Sequence, residues 1–158
     1  MPRLSESEVY RKIKPVDLAP VLAIVDRLPF VSVNQGRADK YPCDVVLKVQ
    51  FPPELVALMY GLDLGGYLAR AVVRRLAPRQ SIPPHTDQWM PGETDWRRFQ
   101  VPIVTHPDII MRWPEDDVSV HLEPGWLYEV RYNRTHEVIH GADYHRLHLQ
   151  IDQVDATI

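Results

Sequence analysis

The chain has 158 residues, 45% hydrophobic and 25% charged, with a formal net charge of −3. That size predicts one domain with a buried core, and the mild acidity leaves no general electrostatic footprint for nucleic acid. No run of about 18 apolar residues is present to cross a membrane, and a lone Cys43 cannot form an internal disulfide, so a soluble protein of the reducing cytoplasm is expected.

In chain order, the polar stretch Met1 to Lys14 lacks the apolar core of a signal peptide and offers a short strand from Val9 to Lys14. Leu18, Val21, Leu22, Ile24, Val25 and Leu28 recur at helical spacing, with Asp17 as N-cap and Pro29 as terminator. Segment 30–43, with Asn34, Gly36, Asp39 and Pro42, reads as loop, and Asp44 to Phe51 as a strand rich in β-branched residues. Pro52-Pro53 opens a short helix that Gly61, Gly65 and Gly66 end.

After Gly66 the hydrophobic period becomes two. Strands are predicted over 67–77, 98–105, 109–113, 118–122, 126–132, 135–140 and 146–154, with turn signals between them. Residues 88–96, holding Trp89, Pro91, Gly92 and Trp96, read as a loop of the kind that covers a site. The 15 prolines exclude a helical bundle and favour short elements joined by turns. The expected fold is mainly β, a jelly-roll or cupin-like barrel with one or two short N-terminal helices. Residues 1–66 would form an N-terminal extension packed on a β-core at 67–154.

All seven histidines fall at or after position 85, which puts any chemistry in the second half. In Pro83-Pro84-His85-Thr86-Asp87 the prolines favour an extended entry. Side chains two apart then share a side, so His85 and Asp87 converge on one point. A distant His would complete the set of two His and one carboxylate that characterises non-heme Fe(II) oxygenases. His136 and His140 share a strand face but stand roughly 13 Å apart along it, so only one of them can join His85 and Asp87. On the last strand Leu147, Leu149 and Ile151 form one face and Arg146, His148 and Gln150 the other. A planar guanidinium at Arg146 suits two-pronged binding of a carboxylate.

His85-Thr86-Asp87, Arg98-Phe99-Gln100-Val101-Pro102-Ile103 and His136-Glu137-Val138 through Arg146-Leu147-His148-Leu149 occur in a familiar order and spacing. The chain resembles the aspartyl/asparaginyl β-hydroxylase group of Fe(II)- and 2-oxoglutarate-dependent oxygenases, over about Leu68 to Asp152. The resemblance implies a double-stranded β-helix fold and hydroxylation of an amino-acid side chain, free or in a peptide or protein, with O2 as co-reactant. It makes His85, Asp87 and His136 the metal ligands, with His140 as the rival to His136. Arg146 would pair with the far carboxylate of 2-oxoglutarate and Arg98 would be a second polar anchor there. Gln100 stands beside it where the group often has His. It also implies that the strands of His136 and Arg146 lie in opposite sheets, where the sequence alone suggests a hairpin. Trp89, two residues beyond Asp87, and His148 are the candidate substrate contacts. A cupin-type metal enzyme without 2-oxoglutarate and a non-catalytic β-sandwich module are the alternatives.

Overall fold

The computed structural model describes residues 2–33, 43–87 and 96–154. The chain runs α1 (Glu6–Val9), β1 (Tyr10–Pro15), α2 (Ala19–Leu22), β2 (Val31–Val33), β3 (Cys43–Leu47), α3 (Pro53–Gly61) and β4 (Tyr67–Leu76). It continues through β5 (Ile82–His85), β6 (Trp96–Val104), β7 (Ile109–Trp113), β8 (Val118–Val120), β9 (Trp126–Val130), β10 (His136–His140) and β11 (Arg146–Val154).

Seven strands form one sheet in the order β1-β9-β6-β11-β4-β3-β2, and four form a second in the order β5-β10-β7-β8. Neighbouring strands pair antiparallel throughout. The result is the jelly-roll, double-stranded β-helix arrangement. Strands β10 and β11 follow one another in sequence yet belong to different sheets, so His136 and Arg146 lie in opposite sheets and do not share a hairpin.

Alternation along β6 and β11 creates two unlike faces. Phe99, Val101, Ile103, Leu147, Leu149 and Ile151 join Val21, Leu55 and Met59 in the principal core, between the large sheet and the helices α2 and α3. Arg98, Gln100, Arg146, His148, Gln150 and Asp152 occupy the opposite face and are buried as well. Burying six polar side chains between two sheets is costly unless each finds a partner.

The helical periodicity of 17–28 resolves into one α-turn and a 3-10 turn at Val25–Arg27. Pro20 in the first turn limits extension backwards and the β-branched Val21, Ile24 and Val25 weaken continuation. Leu18, Val21, Ile24 and Leu28 are nonetheless all buried, so the spacing encoded which residues pack. Strand β3 ends at Leu47, and Lys48–Gln50 form a 3-10 turn. Within the segment read as loop, Val31–Val33 pairs with β3. Strands β1, β2 and β3, all from residues 1–66, are built into the large sheet.

Candidate metal centre

Strand β5 is the edge of the four-stranded sheet, which is why its Ile-Pro-Pro-His sequence is tolerated: a proline there forfeits no ladder bond on the open side. His85 at its end pairs in register with His136 at the start of β10, and the two ring centroids lie 4.4 Å apart. The Asp87 N–H donates to the Tyr132 carbonyl at 3.0 Å, which holds the backbone just past the strand. His85, Asp87 and His136 each offer one ligand atom, and these atoms lie within 4.8 Å of one another.

The histidine tautomers follow from their partners. His85 Nδ1 lies 2.8 Å from the Pro83 carbonyl oxygen and His136 Nδ1 2.8 Å from the Arg134 carbonyl oxygen. A carbonyl only accepts, so both Nδ1 atoms carry the proton and both Nε2 lone pairs turn inward. His85 Nε2 is 3.6 Å from Asp87 Oδ1, and His136 Nε2 is 3.3 Å from Asp87 Oδ2. Three acceptors facing one another repel unless a cation sits among them. Backbone carbonyls fixing the outer ring nitrogen are also the usual support for metal-binding imidazoles. The donor set therefore fits a divalent ion of the imidazole- and carboxylate-loving kind.

Burial alone would raise the Asp87 pKa. The charge of the Arg98 guanidinium bonded to it helps outweigh that and holds the carboxyl well below the usual carboxylate range. Asp87 is thus anionic at every physiological pH. Arg98, a cosubstrate anchor by resemblance, has its guanidinium between two carboxylates: Nη1 reaches Asp87 Oδ2 at 2.5 Å and Nε reaches Asp152 Oδ1 at 2.9 Å.

Arg134, two residues before His136, is itself held. Its guanidinium pairs with buried Asp116, whose carboxylate also accepts the Leu4 N–H at 2.8 Å. The N-terminal segment thus braces the carbonyl that orients His136.

Across the interior, Arg146 is 4% exposed and its Nη2 lies 2.9 Å from His148 Nδ1. The Gln100 amide oxygen lies 2.8 Å from the same nitrogen. Burial, then the neighbouring Arg146 charge, push the His148 pKa well below its ordinary value, so the ring is neutral, with its Nδ1 shared between the Arg146 guanidinium and the Gln100 amide. Its Nε2 is buried without a hydrogen-bond partner among the described residues. Arg146 and His148 border a small cavity of about 10 Å³ with Thr105, Met111, Leu122 and Val138. His148 is therefore an interior neighbour of Arg146, away from the barrel rim.

His140 stands at the other end of β10, paired with Ile109, and its Nδ1 accepts the Ala142 N–H at 3.2 Å. Trp89 and most of the 88–96 loop lie outside the described residues. Asp152, absent from the sequence-based site, accepts from both Arg98 and Arg70. Its signal was available: it continues the even-numbered series of Arg146, His148 and Gln150.

A larger cavity of about 540 Å³ is lined in part by Tyr10, Arg11, Trp96, Arg98, Glu129 and Tyr132, and by none of His85, Asp87 and His136. Trp96 and Tyr132 stack with centroids 3.4 Å apart, and the Arg98 guanidinium lies 5.0 Å from the Trp96 ring centre. Arg98 lines this cavity and also donates to Asp87.

No protein-family model and no curated protein matches the sequence. Solved structures do match. An oxidoreductase of the 2OG-Fe(II) oxygenase family from Burkholderia pseudomallei aligns at TM-score 0.63 and 16% identity, over 86% of this chain and 78% of that one. The non-heme α-ketoglutarate-dependent epimerase SnoN of nogalamycin biosynthesis aligns at 0.66 and 20%, over 94% and 77%. A Pseudomonas putida prolyl-4-hydroxylase aligns at 0.60 and 18%, over 92% of each chain. What these proteins share with the chain is the fold. Among the described residues, no helix is long and apolar enough to cross a membrane.

Proposed function

We propose that the protein is an Fe(II)- and 2-oxoglutarate-dependent oxygenase of the aspartyl/asparaginyl β-hydroxylase type. It would hydroxylate an amino-acid side chain, free or within a peptide. The observation that carries the reading is the convergence of two inward Nε2 lone pairs and an anionic carboxylate on one point. A buried guanidinium stands in the opposite sheet.

In this reading His85, Asp87 and His136 hold Fe(II) on one side and leave the remaining positions open. Bound iron and 2-oxoglutarate would supply oxidative decarboxylation to succinate and carbon dioxide, coupled to insertion of one oxygen atom into a substrate C–H bond. The protein's own share is orientation and the exclusion of water. Arg146 offers a fork-shaped pair of donors to the far carboxylate of the cosubstrate, and His148 keeps that fork directed inward. The cavity beside Trp96 and Arg98, bordered by both guanidinium and carboxylate groups, suits a polar, charged substrate of the amino-acid or peptide class.

One observation favours a second reading. The cavity that Arg146 borders among the described residues is about 10 Å³, room for one water, so a five-carbon dicarboxylate enters it only with rearrangement of the side chains that line it. A cupin-type metal enzyme working without a cosubstrate needs no such movement. Succinate formation decides between them. Protein reconstituted anaerobically with Fe(II) is given 2-oxoglutarate, O2 and a panel of amino acids and peptides. Succinate above the metal-free control supports the oxygenase. Turnover independent of 2-oxoglutarate supports the cupin-type enzyme and overturns the first reading.

A further inference from the structure

Beside the proposed ligands lies a row of alternating charges with unusually little solvent around it. Asp152 is 1% exposed and Arg98 is 6% exposed. Asp152 stands opposite Arg98 on the β11–β6 ladder and opposite Arg70 on the β11–β4 ladder. Its carboxylate accepts from Arg98 Nε at 2.9 Å and Nη2 at 3.3 Å, and from Arg70 Nε at 3.0 Å and Nη2 at 2.7 Å. Two guanidinium forks thus grip one buried carboxylate. The Arg98 nitrogen not turned to Asp152, Nη1, donates to Asp87 Oδ2.

We propose that Asp152 is a positioning residue for the metal centre: through Arg98 it restrains Asp87 so that the ion is bound through a single carboxylate oxygen. The inference rests on the metal reading given above. A guanidinium is planar, so anchoring two of its nitrogens on Asp152 fixes the direction of the third. That donor occupies Asp87 Oδ2, the oxygen nearer His136 Nε2, and leaves Oδ1, the oxygen nearer His85 Nε2, for the ion. A carboxylate with both oxygens available can chelate the ion and consume a position that chemistry needs. Asp152 also balances charge. Without it, Arg98 would be drawn fully onto Asp87, compete with the ion for that carboxylate and add an uncompensated positive charge beside a cation. Arg70, half exposed at the outer end of the row, balances Asp152 in turn.

Cobalt(II) titration followed by visible absorption, together with thermal unfolding of the metal-free protein, tests the inference on wild type, Asp152→Asn and Arg70→Gln. For Asp152→Asn the expected result is about 10- to 100-fold weaker Co(II) binding, with a changed absorption envelope as the coordination of Asp87 changes. For Arg70→Gln, which removes a half-exposed partner, the expected loss is about threefold. A purely structural role would lower the unfolding temperature of the metal-free protein and leave Co(II) affinity within about twofold of wild type, as an inert substitution does; that result overturns the inference. Should Asp152→Asn not fold, unchanged affinity in Arg70→Gln overturns it equally. Failure of wild type to bind Co(II) at all would remove the metal reading itself, and is recognised by that control alone.

Discussion

His85 and His136 are cross-strand partners on the β5–β10 ladder, with ring centroids 4.4 Å apart. His140, on the same face of β10, pairs at the far end with Ile109. Strand register therefore distinguishes two histidines that residue type and face cannot. His136→Ala is expected to abolish Fe(II) or Co(II) binding, and His140→Ala to leave it within about twofold. Direct metal titration checks both, and the reverse pattern would transfer the ligand assignment to His140.

Arg146→Gln keeps a polar side chain but gives up the charge that a distal carboxylate would meet. Loss of a charge-assisted hydrogen bond costs about 1.5–3 kcal/mol, so the 2-oxoglutarate concentration for half-maximal succinate production should rise roughly 10- to 100-fold. The maximal rate should change far less. Succinate measured against 2-oxoglutarate concentration separates the two effects, and a fall in maximal rate alone would place Arg146 elsewhere in the reaction.

Stability should depend on pH through His148. Burial and then the Arg146 charge depress its folded pKa, while the unfolded ring titrates near about 6.5. Below that pH the unfolded chain takes up a proton that the folded chain refuses. The stability of the neutral ring is therefore complete above about pH 6.5 and declines as pH falls. His140, also depressed by burial and then Arg146, acts in the same direction. Urea unfolding from about pH 8 to about pH 5 should show this slope, reduced in His148→Asn.

Gly66 precedes β4 with φ +60°, and a Cβ there would stand 2.6 Å from Gln153 Nε2 and 2.9 Å from the Val154 carbonyl oxygen. Gln153 Nε2 already caps the carbonyls of Leu64 and Gly65 at 2.9 and 2.7 Å. Gly66→Ala is expected to cost roughly 1–3 kcal/mol from backbone strain, with added displacement of Gln153. Gly65 has φ +67°, but a Cβ added there would meet nothing within 4 Å, so Gly65→Ala should cost less. Chemical denaturation ranks the pair, and equal losses would show that the close approach to β11 carries no weight.

The period-two alternation from Gly66 onward placed most of the strands. It also separated Phe99, Val101 and Ile103 from Arg98 and Gln100, because burial on one side of a strand leaves a trace in every second residue. Other features left no such trace. The 17–28 periodicity reports which side chains are buried, and a broken pair of turns buries Leu18, Val21, Ile24 and Leu28 as well as one helix would. Val31–Val33 is too short to show alternation at all.

For the site, residue types and local spacing alone supplied His85, Asp87 and a choice between His136 and His140, because donor chemistry and side-chain direction are local properties. Only the tertiary structure decided that His136 stands opposite His85, that Arg146 lies in the other sheet, and that Arg98 lies between Asp87 and Asp152. Those relations depend on the register and order of strands distant in the chain. They are fixed by the packing of two sheets against each other, which no stretch of sequence encodes by itself.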